Sequence, residues 1–323
     1  MDTKKLVVGI DIGGRGTKFG LVDRIGNIHA EASFLTPDYK NFDDYIIAVK
    51  NVINQLEKDA EGTEIIGIGI GAPNGNHKTK LIAFAANLPW VGELAIVDKL
   101  QKHFPGICIA LDNDANAAAI GEMIYGGAAK MRDFIFVTLG TGLGSGFISN
   151  GEMIYGHDGL AGELGHIIID RNGRQCGCGR CGCLETYVSA TGIERTVSEL
   201  LARSNADSIF RHKKFSEIEA VHIAEAAKNG DKIAQEAFEL TGETLGVALA
   251  NAITITAPEA IFLAGGLAKA GDLILQPTVK AFENNVLKFW KNKVKICLSE
   301  LHDKDVSILG AASLAWNSIN KGF

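Results

Sequence analysis

No stretch of about 18 uninterrupted apolar residues occurs in the chain, which excludes a bilayer-spanning helix. The apolar run before Asp11 in "MDTKKLVVGIDIGG" is too short for a secretory signal, so the chain is expected in the cytoplasm and away from membranes. An excess of basic residues is missing too: 32 Lys and Arg stand against 38 Asp and Glu, a net charge of −6. That balance argues against broad nucleic-acid binding, which needs a basic face to displace phosphate counterions. It leaves room for a small phosphorylated ligand, because backbone amides and helix ends bind anions locally. No GxxxxGK[ST] occurs, so a Walker-type loop is excluded. Low-complexity linkers and coiled-coil heptads are absent as well. Cysteine is scarce outside one place: four of the six lie in "CGCGRCGC" at 176–183, and the others are Cys108 and Cys297.

At 323 residues the chain exceeds one simple core of ~100–200 residues, so two domains or lobes are expected. The β-branched run "KKLVVGI" leads into the Gly-rich "DIGGRGTKFG" and then an alternating pair turned at Gly26-Asn27. A helical period follows over about 42–58, with Tyr45, Ile46, Val49, Val52, Ile53 and Leu56 on one face. Then come the strand "IIGIGIG", a Pro/Gly/Asn loop at 72–80, a helix near 94–104 and the strand "ICIALD". A second pass begins at Asp133 with "RDFIFVTLGTGLGSGFISNGEMI". At an offset of 126 residues, Gly14, Gly16 and Gly20 fall on Gly140, Gly142 and Gly146. This internal repeat predicts two related lobes, each opening with a strand, a Gly-rich turn and a strand. Helices are expected at about 191–202, 216–228 and 231–255, then the strand "AIFLAGG", a helix, the strand "VKICLS" and a closing helix over 308–319. Strands alternating with helices define an α/β protein.

Each Gly-rich turn brings bare backbone within reach of a phosphate and leaves N–H groups able to form an anion nest. A plain tight hairpin is the competing reading for either loop alone. Two related loops in duplicated lobes favour a nucleotide held at both ends. A third turn, "LAGGLAKAG" at 263–271, reads equally as a strand-helix connection or a nucleotide contact.

"ALDNDANAAAIGEM" ends a strand with Asp112-Asn113-Asp114 and opens an Ala-rich helix, which puts acid at the positive end of the helix dipole. Such residues also serve as simple N-caps. For "CGCGRCGC" three chemistries compete: a disulfide framework, a redox CxxC at Cys178 and Cys181, and a zinc clamp. A reducing compartment disfavours the first, and the second normally opens a helix after a strand. Any three of the cysteines with His166 would complete a tetrahedron.

Together, Asp11-Ile12-Gly13-Gly14, "TLGTGLGSG", "AGELGH" at 161–166, "CGCGRCGCLE" at 176–185 and "AGG" at 264–266 resemble the ROK family of sugar kinases and sugar-responsive repressors. The resemblance runs from residue 6 to the C-terminal helix. It implies the two-lobed, duplicated actin/hexokinase-like (ribonuclease H-like) α/β fold with an inter-lobe cleft. The expected division is a smaller lobe over 1–115, joined by the helix at 308–323, and a larger lobe over 116–307 carrying a zinc-binding loop. Five residues precede the first strand, too few for the helix-turn-helix domain of the repressors, so the kinase branch is expected.

On this resemblance Asp114 is the general base and Asn113 holds ring hydroxyls, with Asp112 as a local competitor for the base. Glu163, His166 and Glu185 bind the sugar around its anomeric side, with Gly75 and Asn87 as further contacts. Asp11, Gly13, Gly14, Thr17, Thr141, Gly142, Gly265 and Gly266 are expected around ATP and Mg2+. His166, Cys176, Cys178 and Cys183 would hold a structural Zn2+, with Cys181 a bystander. Arg15 stands where the family usually has a hydroxyl side chain, which places that contact in doubt and leaves the Gly13 and Gly14 amides as the phosphate contacts. The implied activity is ATP-dependent phosphorylation of a hexose, glucose first. Fructose, mannose, allose, the N-acyl-hexosamines N-acetylmannosamine and N-acetylglucosamine, or a sugar sensor without turnover are the alternatives. A homodimer is expected from the family alone.

Overall fold

The computed structural model describes residues 4–60, 62–301 and 306–322. The chain divides into two compact units. One is Met1–Lys130 with Met153–Ala161 and Asp303–Phe323; the other is Met131–Glu152 with Gly162–His302. In chain order the first unit holds β1 (Lys4–Ile12), β2 (Thr17–Val22), β3 (Ile28–Phe34), α1 (Phe42–Asp59), β4 (Thr63–Ala72), the short β5 (Ile82–Ala83) and β6 (Glu93–Leu94), α2 (Ile96–Gln101), β7 (Cys108–Asn113) and α3 (Asp114–Tyr125). The second holds β8 (Phe134–Leu139), β9 (Leu143–Ser149), β10 (Glu152–Met153), α4 (Ala190–Arg203), α5 (Ala220–Lys228), α6 (Lys232–Thr256), β11 (Ala260–Ala264), α7 (Asp272–Asn285) and β12 (Lys295–Leu298). The last helix, α8 (Val306–Asn320), packs with the first unit.

The two main sheets have one topology. The first runs β3-β2-β1-β4-β7 and the second β10-β9-β8-β11-β12. In each, the leading hairpin is antiparallel and the next two strands are parallel to its first strand. The glycine offset in the sequence is thus a duplicated structural unit. The turns differ by a single residue: Ile12 pairs with Thr17 across residues 13–16, whereas Leu139 pairs with Leu143 across 140–142.

Amphipathic α1 covers one face of the first sheet with Tyr45, Ile46, Val49, Ile53 and Leu56, and its N-cap Asn41 accepts the Asp43 N–H at 2.7 Å. α8 covers the opposite face, where glycine lets backbones touch. A Cβ on Gly69 would meet the Ala311 carbonyl, one on Gly9 the Ile308 carbonyl, and one on Gly121 of α3 the backbone of Gly310. α3 is therefore buried nearly all round, from Ala115 to Glu122. In the second unit, Ile135 and Val137 of β8 pack with Leu245 and Leu249 of α6 and Phe282 of α7.

Two expected helices are shorter in the structure. The one near 94–104 keeps only Ile96–Gln101 and turns out of helix before Pro105-Gly106, since a residue before proline disfavours the α conformation. The one over 216–228 begins at Ala220, after a single 3-10 turn at Phe215–Glu217.

Gly69→Ala puts a methyl group onto a helix carbonyl that cannot withdraw without moving α8. Overpacking of this kind costs about 1–3 kcal/mol. Chemical denaturation of the variant should show a lower midpoint, while Gly62→Ala, where a Cβ meets nothing within 4 Å, changes stability less despite its φ of 76°.

Candidate active site

β7 delivers three consecutive polar residues with three different fates. Asp112 is 1% exposed; its Oδ1 accepts the Asn113 N–H at 2.8 Å and the Asn116 side-chain amide at 2.9 Å. Burial pushes its carboxyl up, against the lowering effect of these bonds, of the Tyr155 hydroxyl and of the Lys80 charge. So enclosed a carboxyl braces the turn from within. Asn113 is the N-cap of α3, its side-chain oxygen accepting the Ala115 N–H at 2.9 Å. That leaves its NH2 as a donor for a ligand. Asp114 is exposed, and its Oδ1 accepts the Ala115 N–H at 2.8 Å. Although solvent touches it, protein crowds it closely enough that desolvation raises its carboxyl, against the lowering effect of the backbone N–H groups.

The rest of the first unit's candidates lie on turns. Gly75 follows the left-handed Asn74 (φ 53°), and a Cβ there would meet the Asp112 carbonyl. The next residue, Asn76, is buried; it donates to the Asp158 carbonyl at 2.8 Å and accepts the N–H groups of Lys78 and Thr79. Asn76 and Tyr155 were not singled out from sequence, and only the fold brings the 153–161 segment against them. Asn87 is exposed, and its backbone carbonyl occupies the place of a Gly14 side chain.

In the first glycine loop the Gly13 N–H closes on the Gly16 carbonyl at 2.9 Å, so of the two expected amide contacts only Gly14 has its N–H clear of the loop's own bonding. Asp11 is half-buried at the end of β1, and Arg15 is exposed. Thr17 differs from expectation: it is fully buried, and its hydroxyl bonds those of Thr36 and Tyr45, each at 3.0 Å. It faces inward on β2, with its hydroxyl held by protein partners.

In the second unit the Gly140 N–H closes on the Gly142 carbonyl at 3.0 Å, and Glu185 Oε2 accepts the Leu143 N–H at 2.9 Å. A Cβ on Gly142 would strike that carboxylate. Thr141 is exposed, and its carbonyl accepts the hydroxyl of Thr191 on α4 at 3.0 Å. Gly265, at φ 93°, lies against the Leu139 backbone, and Gly266 beside it has open space where a Cβ would stand. The loops at 139–142 and 264–266 are thus neighbours, both with approachable backbone.

The cysteine turn gathers four donors. His166 Nδ1 lies 3.8 Å from Cys176 Sγ, Cys178 Sγ lies 3.6 Å from Cys183 Sγ, and all four ligand atoms fall within 4.8 Å of one another. Zinc at ~2.3 Å from sulfur requires S···S edges of about 3.8 Å, so the set fits a closed tetrahedral site. The thiols also show what a cation would relieve. The Arg180 backbone and side chain bring Cys178 down to about 6, while burial and the neighbouring sulfurs push Cys183 up to about 12. Cys181 is exposed, 3.2 Å from Gln175 Oε1, and is not among the four. Glu185 touches the cluster through Cys176 Sγ at 3.8 Å. Glu163 is exposed just before the 3-10 turn that carries His166.

Arg174, which carried no sequence signal, ties this turn to α4. Its guanidinium makes two bonds of 2.9 Å to Glu199, bonds the Thr186 carbonyl at 2.7 Å and the Gly192 carbonyl at 3.0 Å, and stacks 4.5 Å from the Tyr187 ring.

Residues 7–318 match the ROK family, and the chain belongs to that family. The glucokinase of Halalkalibacterium halodurans is 33% identical over 326 positions, covering 98% of this chain and 97% of its own. A xylose repressor of Caldicellulosiruptor bescii is 28% identical over 95% of this chain and 77% of its own length. The crystal structure of a ROK family glucokinase from Streptomyces griseus in complex with glucose and AMPPNP superposes with a TM-score of 0.80 at 31% identity, over 97% of this chain and 99% of that one. The fold is the actin/hexokinase-like α/β fold of the ROK sugar kinases, as the duplicated sheets anticipated.

Arg174→Met removes charged hydrogen bonds worth about 1.5–3 kcal/mol and strands two carbonyls. The unfolding midpoint should fall, and Arg174→Lys should recover little of it, because an ammonium cannot make the two-point contact to Glu199.

Proposed function

We propose that the chain is an ATP-dependent hexose kinase that makes glucose 6-phosphate, with Asp114 as its general base. The observation that carries this reading is an exposed, crowded carboxylate at the start of α3, beside an N-cap whose oxygen is spent on the helix and whose NH2 is left to donate. Phosphoryl transfer needs little covalent help from protein; it needs a hydroxyl positioned in line, a base for its proton and stabilised phosphate charge. Asn113 donates to a ring hydroxyl and orients the sugar. Asp114 takes the proton of the 6-hydroxyl as the oxygen attacks the terminal phosphorus and the bond to the bridging oxygen breaks, with ADP leaving; its raised pKa makes it the stronger base. Glu163, Glu185 and His166 accept or donate to the remaining hydroxyls, since a carboxylate can receive two hydroxyl protons at once. The backbone amides of Gly14, Thr141 and Gly142, with Gly265 and Gly266, offer approach to the nucleotide, and Asp11 would hold its magnesium. Magnesium, when bound with the nucleotide, supplies positive charge to the transferred phosphoryl group.

His166, Cys176, Cys178 and Cys183 would hold zinc with no open position, so its part is to fix the turn that carries His166 and Glu185. Membership of a family that also contains repressors keeps one other reading, a sugar sensor without turnover.

ADP release with Mg-ATP over a hexose panel tests the proposal. Asp114→Asn should lower kcat by roughly 10²–10⁴ with sugar binding retained. Activity surviving in that variant removes the base assignment, and sugar binding without turnover in the parent turns the reading to the sensor. The pH profile follows by sign: the base works ionised, so kcat/KM should fall as pH drops through a pKa displaced upward from the ordinary aspartate value of 3.8. An acid limb at or below that value contradicts the raised base.

Metal analysis should find about one zinc per chain. Cys181→Ser should keep it and Cys176→Ser should lose it. The reverse pattern would falsify the ligand set.

A further inference from the structure

A line of three buried hydroxyls supports the first glycine loop from beneath. Thr36 Oγ1 donates to the Gly13 carbonyl at 2.7 Å. Thr17 Oγ1 lies 3.0 Å from Thr36 Oγ1 and 3.0 Å from Tyr45 Oη, and all three side chains are fully buried. A hydroxyl has one proton to give. With Thr36's committed to Gly13, Thr36 must accept from Thr17, and Thr17 must accept from Tyr45. The direction is fixed from Tyr45 to Thr17 to Thr36 to Gly13, and each bond polarises the next in a low-dielectric interior. Burial, with a smaller contribution from the Asp11 charge, holds the Tyr45 hydroxyl well above its ordinary range, so the first donor keeps its proton.

The carbonyl at the end of this line belongs to the Gly13–Gly14 peptide. In a planar trans peptide the N–H points opposite to the C=O. Pinning the carbonyl inward therefore turns the Gly14 N–H outward. The Gly13 N–H is spent on Gly16, and the Gly14 N–H has no protein acceptor among the described residues. The Asn87 backbone fills the place of a Gly14 Cβ, so a side chain at Gly14 would displace it.

We propose that Tyr45, Thr17 and Thr36 are positioning residues that aim the Gly14 N–H at the phosphates of the nucleotide. None of the three touches the ligand. The inference rests on the kinase reading above, and it gives Thr17 a place beneath the loop in exchange for the direct contact expected from sequence.

Steady-state kinetics of Thr36→Val, Thr36→Ser, Thr17→Val and Tyr45→Phe, with ATP and sugar varied separately, test it. Thr36→Val should raise the KM for ATP roughly tenfold, the worth of about one hydrogen bond, with the sugar KM within about twofold of the parent. Thr36→Ser keeps the hydroxyl and should recover the parental value. Thr17→Val and Tyr45→Phe should give successively smaller increases as the break moves away from Gly13. A hydroxyl line that only stabilises the fold predicts otherwise: lower melting temperatures, with the ATP KM unchanged or moving in step with the sugar KM. Either result overturns the proposal. If Thr36→Val does not fold, Tyr45→Phe, which keeps the ring packing, decides on the same readout. If the parent turns over no hexose, the kinase reading fails by itself. Calorimetric binding of Mg-ADP then decides this one: weaker binding in Tyr45→Phe supports it, and unchanged binding overturns it.

Discussion

The chemistry of the first unit depends on how closely α8 lies on its sheet. Gly9 and Gly69 remove the side chains that would hold α8 off β1 and β4, and Gly121 and Gly310 let α3 meet α8 backbone to backbone. With side chains in between, two packed elements sit several ångströms further apart. α3 has almost no solvent-facing surface of its own, so its direction is set by these contacts and not by helix propensity. Asn113 and Asp114 inherit that direction because they are its cap and first residue. The "GIGIG" of β4 thus reads as a packing device that sets the direction of α3, and with it the proposed base.

In the second unit the equivalent strands carry the same kind of turn, but the support differs. The loop at 140–142 is held from the side by Glu185, whose carboxylate receives the Leu143 N–H and also touches Cys176 of the cysteine turn. One residue therefore joins a glycine loop and the cluster, and Arg174 locks the far side of the same turn to α4. The first loop is held by buried hydroxyls, with Thr36 bonded to the Gly13 carbonyl. Duplication supplied the backbone pattern twice, while the means of stiffening it diverged.

Much of this was legible in the sequence because it rests on local signals. Two Gly-rich hairpins at a constant offset gave the repeat and hence the topology; the spacing in "CGCGRCGC" left any three cysteines open beside His166, and the resemblance to the ROK family picked Cys176, Cys178 and Cys183, the three that the structure brings together with His166. Asp11, Asn113 and Asp114 fall at strand ends, where an acidic or amide residue before a Gly turn or an Ala-rich helix is visible by inspection. What escaped depended on distance. Tyr155 lies 43 positions from Asp112 in the chain, and Arg174 meets Glu199 across 25, so no window of local periodicity connects them. Thr17 was expected near the nucleotide from the family resemblance; the strand alternation turns it inward, toward Thr36 and Tyr45, which no local pattern links to it. The shortened helix before Pro105 was a boundary error of the usual kind, in which periodicity persists past the residues that can form helix.

Asp112 and Asp114 show how two like groups on one turn acquire opposite uses. Both have carboxyls raised chiefly by burial. For Asp112 that makes ionisation work against folding: its contribution to stability is fully present below the ordinary value of 3.8 and is lost as pH rises from there through its raised native pKa. The Asn113 N–H, the Asn116 amide and Tyr155 offset this cost, and in return the turn is fixed from behind. Asp114 has backbone partners only, so its remaining lone pairs face solvent. The base proposed for this turn must be held still and yet be reachable: Asp112 braces the turn, and Asp114 keeps the exposure.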